Sequence, residues 1–151
     1  MTEKEKIELK RNWRLRWLGE LFLMTHLEYQ KDLWVNRKYP NEIGWFSENI
    51  YRYFDDLYLD DNYQCQIKDG IISQLEFESI QDFHFALEKF VEMTNKPEQK
   101  FNETEIFKNE YWLKICEIGK KSWTRLKQII SDENELIHMH RLERYYLTNK
   151  K

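Results

Sequence analysis

Tyr111-Trp-Leu-Lys-Ile-Cys-Glu-Ile-Gly-Lys-Lys-Ser-Trp-Thr-Arg-Leu-Lys-Gln-Ile-Ile130 sets Trp112, Cys116, Gly119, Trp123, Leu126 and Ile130 at alternating four- and three-residue steps. That period is one face of a helix, and it predicts a single long helix over about 103–130. Gly119 inside the stripe costs about 1 kcal/mol against alanine in a helix interior. A neighbouring helix is therefore expected to pass close there, which makes helix-on-helix packing the organising principle of the chain.

The N-terminal segment repeats the pattern. Trp13, Trp17, Leu21 and Met24 recur at four- and three-residue steps beside Leu18 and Phe22, and Thr2 with Glu5 matches a capping box. A helix over about 3–31 is expected, with Thr25-His26 as its candidate break and Lys10, Arg11, Arg14 and Arg16 on its wetter sides. Trp34 to Gly44 reads as a loop around Tyr39-Pro40-Asn41.

Ser47 is the expected N-cap of a second helix running to about Leu59. It would bury Ile50, Phe54 and Leu57, with Tyr51 and Tyr58 beside them. Asp60-Asp61-Asn62 ends it, because short polar side chains compete for backbone hydrogen bonds. Lys68-Asp69-Gly70 is a further break, followed by a short helical or extended piece to Phe77.

Ser79 and Asp82 are expected to cap a third helix that buries Ile80, Phe83, Leu87, Phe90 and Val91 and stops before Asn95-Lys96-Pro97. Residues 97–103 read as a polar link. Asp132 and Glu135 would cap a last helix to about Leu147, with a basic tail beyond. The expected fold is all-α, an irregular single-domain bundle of five or six helices spanning 1–151, with parts 1–31, 47–95 and 103–147.

Composition agrees. The 151 residues fit one domain, and 41% hydrophobic with 16% aromatic content is too apolar for a disordered chain. Four Gly and two Pro are too few for the turns of a sandwich or barrel. Ala86 is the only alanine, so the core must be filled by large residues, among them six Trp, nine Tyr and nine Phe.

No run of about 18 apolar residues suits a membrane span, and the charged N-terminus leads into no signal-peptide core. Cys65 and Cys116 have no spacing that suggests a disulfide framework or zinc site. A cytoplasmic protein with two reduced thiols is the expectation.

Net charge is −3, but residues 1–40 carry +3, residues 41–92 carry −9 and residues 93–151 carry +3. An acidic middle between mildly basic ends is the most informative feature of the composition.

Catalytic and metal motifs are weak. Glu135-Leu-Ile-His138 has the Glu-x-x-His spacing of di-iron bundles, which need two copies, and Gln81-Asp-Phe-His84 lacks the first carboxylate. His138 and His140 point about 200° apart on a helix and cannot chelate one ion. Asp55, Asp56, Asp60, Asp61, Asn62 and Asp69-Gly70 do not follow EF-hand order, and no phosphate-binding glycine loop accompanies them.

Cys116 lies in the apolar stripe and reads as core. Lys10-Arg-Asn-Trp-Arg-Leu-Arg-Trp17 interleaves cations with aromatics, but its Trp residues fall at core spacing, and an acidic chain of pI about 5.9 opposes phosphate-driven binding. No catalytic residue, cofactor or metal ligand is assigned.

The acidic middle remains. Tyr51-Arg-Tyr-Phe-Asp-Asp-Leu-Tyr-Leu-Asp-Asp61 sets two aspartate pairs among large apolar and aromatic side chains. Clustered carboxylates speed encounter with a cationic patch, and flanking aromatics supply anchors. Tyr51, Tyr53, Tyr58 and Tyr63 crowd around the acids. Asp55, Asp56, Tyr58, Asp60, Asp61, Glu76 and Glu78 are the expected contacts to a basic protein partner.

Taken in order, Tyr29-Gln30 leading to Trp34, Tyr39-Pro40, the helix ending Tyr53-Phe-Asp-Asp-Leu-Tyr-Leu-Asp-Asp-Asn62, Gly70 with Glu76 and Ile80, and Trp112 to Leu126 form a pattern. Over about 29–130 it resembles small all-helical bacterial immunity proteins of polymorphic and contact-dependent toxin systems. The resemblance implies stoichiometric inhibition of a cognate toxin, without turnover or cofactor; from charge and hydropathy, neither a nucleic-acid nor a membrane partner is expected. A host-directed inhibitor or adaptor, such as a phage-borne anti-defence protein, is the alternative of a different class. A metal-dependent enzyme using the Asp pairs with Glu135 and His138 is the third.

Overall fold

A computed structural model describes residues 1–42, 44–95 and 101–147. The third expected helix stops at Thr94, before Asn95 as expected; Lys96-Pro97, most of the polar link and the basic tail lie outside these residues. All regular elements among the described residues are helical: α1 (Glu3–Thr25), α2 (Leu27–Trp34), α3 (Phe46–Tyr51), α4 (Gln64–Lys68), α5 (Gln74–Thr94), α6 (Glu110–Ile129) and α7 (Glu133–Leu147). A π-helical turn, Arg52–Asp56, continues α3, and a 3-10 turn, Glu103–Lys108, precedes α6. The all-α expectation holds, with more and shorter pieces than five or six.

Helix α1 is the axis. Thr2 and Glu5 close the expected capping box, the first three turns are largely exposed, and Trp17, Leu18, Leu21, Phe22 and Met24 are fully buried. The break falls at His26, where the backbone turns extended. Thr25 Oγ1 donates back to the Leu21 carbonyl at 2.8 Å, one of the local bonds with which Ser and Thr bend helices.

Helices α5 and α6 form the most extensive helix pair, and α1 packs on α6. Gly119 lies where they converge: a Cβ there would stand 2.6 Å from Thr25 Cγ2 and 3.0 Å from Phe83 Cδ1. The missing side chain is what lets three helices meet.

One continuous core fills the space, built from large residues as the single alanine requires. Aromatic side chains bring polar atoms that need partners when buried. Trp112 Nε1 donates to Gln30 Oε1 at 3.0 Å, Trp34 Nε1 to Asn49 Oδ1 at 2.9 Å, and Trp123 Nε1 to Glu143 Oε2 at 2.8 Å. Gln30 and Asn49 are themselves fully buried, so these bonds fix α2 against α6 and α3.

Several boundaries differ from expectation, each for a local reason. Trp45 rather than Ser47 precedes α3, without a side-chain cap; Ser47 lies one residue inside, and its N–H donates to Glu103 Oε1. Ser73 and Glu76 form the capping box of α5, so the expected cap at Ser79 falls one and a half turns inside the helix. Ser79 instead bonds back to the Glu76 carbonyl at 2.6 Å. Asn109 caps α6 through Trp112 N–H and divides the expected long helix from the 3-10 turn before it. Asp132 does receive the Glu135 N–H at 3.0 Å, as predicted for α7.

Candidate partner-binding surface

The segment from α3 to α4 carries the acidic residues. The expected helix to Leu59 does not persist; it widens into the π turn and then unwinds, with Leu59 N–H bonded to the Phe54 carbonyl at 2.9 Å. Beyond the turn the side chains alternate. Leu57 and Leu59 are fully buried, whereas Tyr58 is 71% exposed and Asp60 is exposed. Asp55 and Asp56 are exposed on the π turn itself.

The backbone here is strained. Tyr58, Asn62 and Tyr63 all have positive φ, at 56°, 61° and 69°. Such conformations cost a non-glycine residue about 1–3 kcal/mol and persist only when surroundings over-determine them. Gln66, itself buried, supplies part of that: Nε2 donates to the Leu57 carbonyl at 3.2 Å and the Tyr58 carbonyl at 2.8 Å.

A buried polar chain supplies the rest. Trp17 Nε1 donates to the Tyr63 hydroxyl at 2.8 Å, the Tyr63 and Tyr53 hydroxyls are 2.7 Å apart, and Tyr53 lies 3.0 Å from His84 Nδ1. His84 Nε2 meets Asn62 Oδ1 at 3.1 Å. Because Asn62 Oδ1 can only accept, Nε2 carries the proton and Nδ1 accepts from Tyr53. Tyr63 then donates to Tyr53, and both hydroxyls accept one bond and donate one. His84 is thereby neutral; burial pushes its pKa down to about 4 against a weaker opposing pull from Asp61.

The sequence-predicted contacts separate into three groups. Asp55, Asp56, Tyr58 and Asp60 share one exposed loop, and the three carboxylates form no hydrogen bond or ion pair among the described residues. Asp61 is half-buried, and its Oδ2 accepts the Cys65 N–H, in the first turn of α4, at 3.0 Å. Glu78 is exposed on α5 and accepts from Gln74 Nε2.

Glu76 is corrected outright. It is 8% exposed and bound to Arg14, which was expected on a wet face and is equally buried. Arg14 Nη1 and Nη2 donate to the two Glu76 oxygens at 2.9 and 2.6 Å, Nε and Nη2 to Glu135 at 2.7 and 2.8 Å, and Nη1 to the Ile71 carbonyl at 2.8 Å. All five guanidinium hydrogens are used. Burial alone would lower the Arg14 pKa, but the bonds to Glu135 and Glu76 raise it. Glu76 is a structural ion and has nothing left to offer a partner.

Tyr53 and Tyr63 are likewise core residues, leaving Tyr51 and Tyr58 as the exposed aromatics of the loop. The sequence reading missed Glu88 and Glu92. Burial and the charge of Glu92 raise the Glu88 pKa, and Glu88 acts in turn on Tyr53. Helix α5 therefore extends the negative side of the molecule beside the loop.

Two residues of the Glu-x-x-His and Gln-x-x-His spacings are engaged within the fold. Glu135 is spent on Arg14, and His84 on Tyr53 and Asn62. Among the described residues no three His, Cys, Asp or Glu side chains group closely enough to hold an ion. Burial pushes the Cys116 thiol up to about 12, the opposite of an activated nucleophile. No helix among the described residues is long and apolar enough to cross a membrane. Comparison of the chain with protein-family models, curated proteins and solved structures finds no match.

Proposed function

We propose that this chain is a cytoplasmic immunity protein or antitoxin that neutralises one basic toxin domain, most simply a nuclease, by stoichiometric binding. One observation carries the reading: Asp55, Asp56 and Asp60 are exposed, without hydrogen-bond or ion-pair partners among the described residues, beside Tyr58 on a strained loop braced from beneath. Bracing matters because a preorganised surface loses little conformational freedom on binding.

The mechanism is occlusion. The carboxylates oppose Lys and Arg side chains that would otherwise hold phosphates, and Tyr51 and Tyr58 fill apolar pockets between them. Close charge pairs of this kind couple by about 1.5–7 kcal/mol. No step of turnover is involved, and no cofactor is required.

Affinity capture of the tagged protein from its native host, with mass spectrometry of the eluate, tests the proposal. A single near-stoichiometric basic polypeptide is the expected product. Recovery of the bare protein, or of an acidic partner held at an Asp-independent site, would remove the reading.

A further inference from the structure

A groove of about 1050 Å³ runs between α1, α7 and the start of α5, and its chemistry is the reverse of the acidic loop. Its walls are two helix stripes. Ile7, Lys10 and Arg11 come from α1, and Ile137 and Arg141 from α7, at the three- and four-residue steps that align side chains along a helix. Leu75, in the first turn of α5, lines it as well. Four apolar side chains remain in water here: Ile7 at 57% exposure, Leu75 at 64%, Ile137 at 43% and Ile129, at the end of α6, at 36%. Contiguous exposed apolar surface rimmed by charge marks interaction sites.

Cations predominate. Glu76 and Glu135 lie in the floor, but both are consumed by Arg14, and the other carboxylate of the lining, Asp132, accepts the Glu135 N–H at the start of α7. Lys10, Arg11 and Arg141 are exposed, and none forms an ion pair among the described residues. The groove thus presents exposed apolar side chains between cations that pair with no carboxylate among the described residues. We propose that it docks an acidic amphipathic helix of a protein partner, apolar face inward and carboxylates against the two basic walls. A concave trough whose α1 wall extends about 10 Å, or two helical turns, suits a rod. A flat bilayer surface would not reach its floor. This recognition mode needs only apolar anchors one turn apart with flanking charge, and it does not depend on the acidic loop.

The test uses the full chain and a fluorescein-labelled four-turn peptide, with Leu at i, i+3, i+4 and i+7 and Glu elsewhere, read by anisotropy. Saturable one-to-one binding is expected, weakened about tenfold or more by Arg11→Glu with Arg141→Glu, and similarly by Leu75→Asp. Asp56→Lys with Asp60→Lys should leave it unchanged, which separates this groove from the acidic loop. All these positions are exposed, and thermal melting checks that each variant folds. Absence of saturable binding, equal binding of the peptide with Lys for Glu, or indifference to the groove variants would overturn the proposal. So would groove-dependent capture of phosphatidylglycerol vesicles in place of the peptide, or groove-dependent self-association by sedimentation.

Discussion

Arg14 sits among Lys10, Arg11 and Arg16, all exposed, and alone turns inward to hold Glu76 and Glu135. Removing one partner of a buried ion pair leaves uncompensated charge, at a cost of about 3–5 kcal/mol. Arg14→Met is therefore expected to lose about that much stability in urea unfolding. Adding Glu76→Gln and Glu135→Gln should recover part of it, since no ion then remains buried; equal instability of the single and triple variants would contradict the assignment.

The histidines make a second prediction. His26 and His84 are buried, and burial lowers each pKa from 6.5 to about 4. Below pH 6.5 the unfolded chain takes up protons that the folded chain refuses. The stability each neutral ring contributes is full above about pH 6.5 and lost as pH falls to about 4, about 3 kcal/mol per group. His84→Gln should flatten that slope in denaturant titrations at pH 7, 5.5 and 4.5.

At the scale of elements, two glycines give opposite expectations. Gly119→Ala gains helix propensity but drives a Cβ into Thr25 and Phe83, and overpacking of this kind costs about 1–3 kcal/mol. Gly19, in the middle of α1, has nothing within 4 Å of an added Cβ, so Gly19→Ala should stabilise by about 0.5–1 kcal/mol. Thermal midpoints moving in opposite directions would check both.

The same contrast marks what the sequence could disclose. The α6 stripe and the close approach at Gly119 were legible because periodicity reports burial directly. The capping box at Thr2 and Glu5 was legible for the same local reason. The start of α5 was missed because Ser73-x-x-Glu76 competed with Ser79-x-x-Asp82, and only the first also had Arg14 to bind its carboxylate. The π turn was invisible, since it arises from tertiary demands on Tyr53, Leu57 and Leu59. Of the candidate site, the loop aspartates and Tyr58 could be read from clustering. The burial of Tyr53, Tyr63 and Glu76 could not, because their partners Trp17, His84 and Arg14 lie at sequence separations that no local pattern spans.

For the molecule as a whole, charge segregates. The acidic middle surfaces at the 55–60 loop and along α5, while the basic walls of α1 and α7 meet around a separate groove. A surface of one sign steers an oppositely charged partner, and that attraction is screened over about 10 Å at 0.1 M salt. The association rate with a basic partner is accordingly expected to fall as salt is raised from 0.05 to 0.5 M in stopped-flow measurements, with the dissociation rate changing less; a flat association rate would speak against electrostatic capture.

The most direct measurement is the dissociation constant of the captured partner for the wild type and for Asp56→Lys with Asp60→Lys, alongside urea unfolding of both. Both aspartates are exposed and form no ion pair among the described residues, so the double reversal should leave stability within about 0.5 kcal/mol while weakening binding by orders of magnitude. Undiminished affinity in an equally stable double variant would contradict the claim that the acidic loop is the neutralising surface.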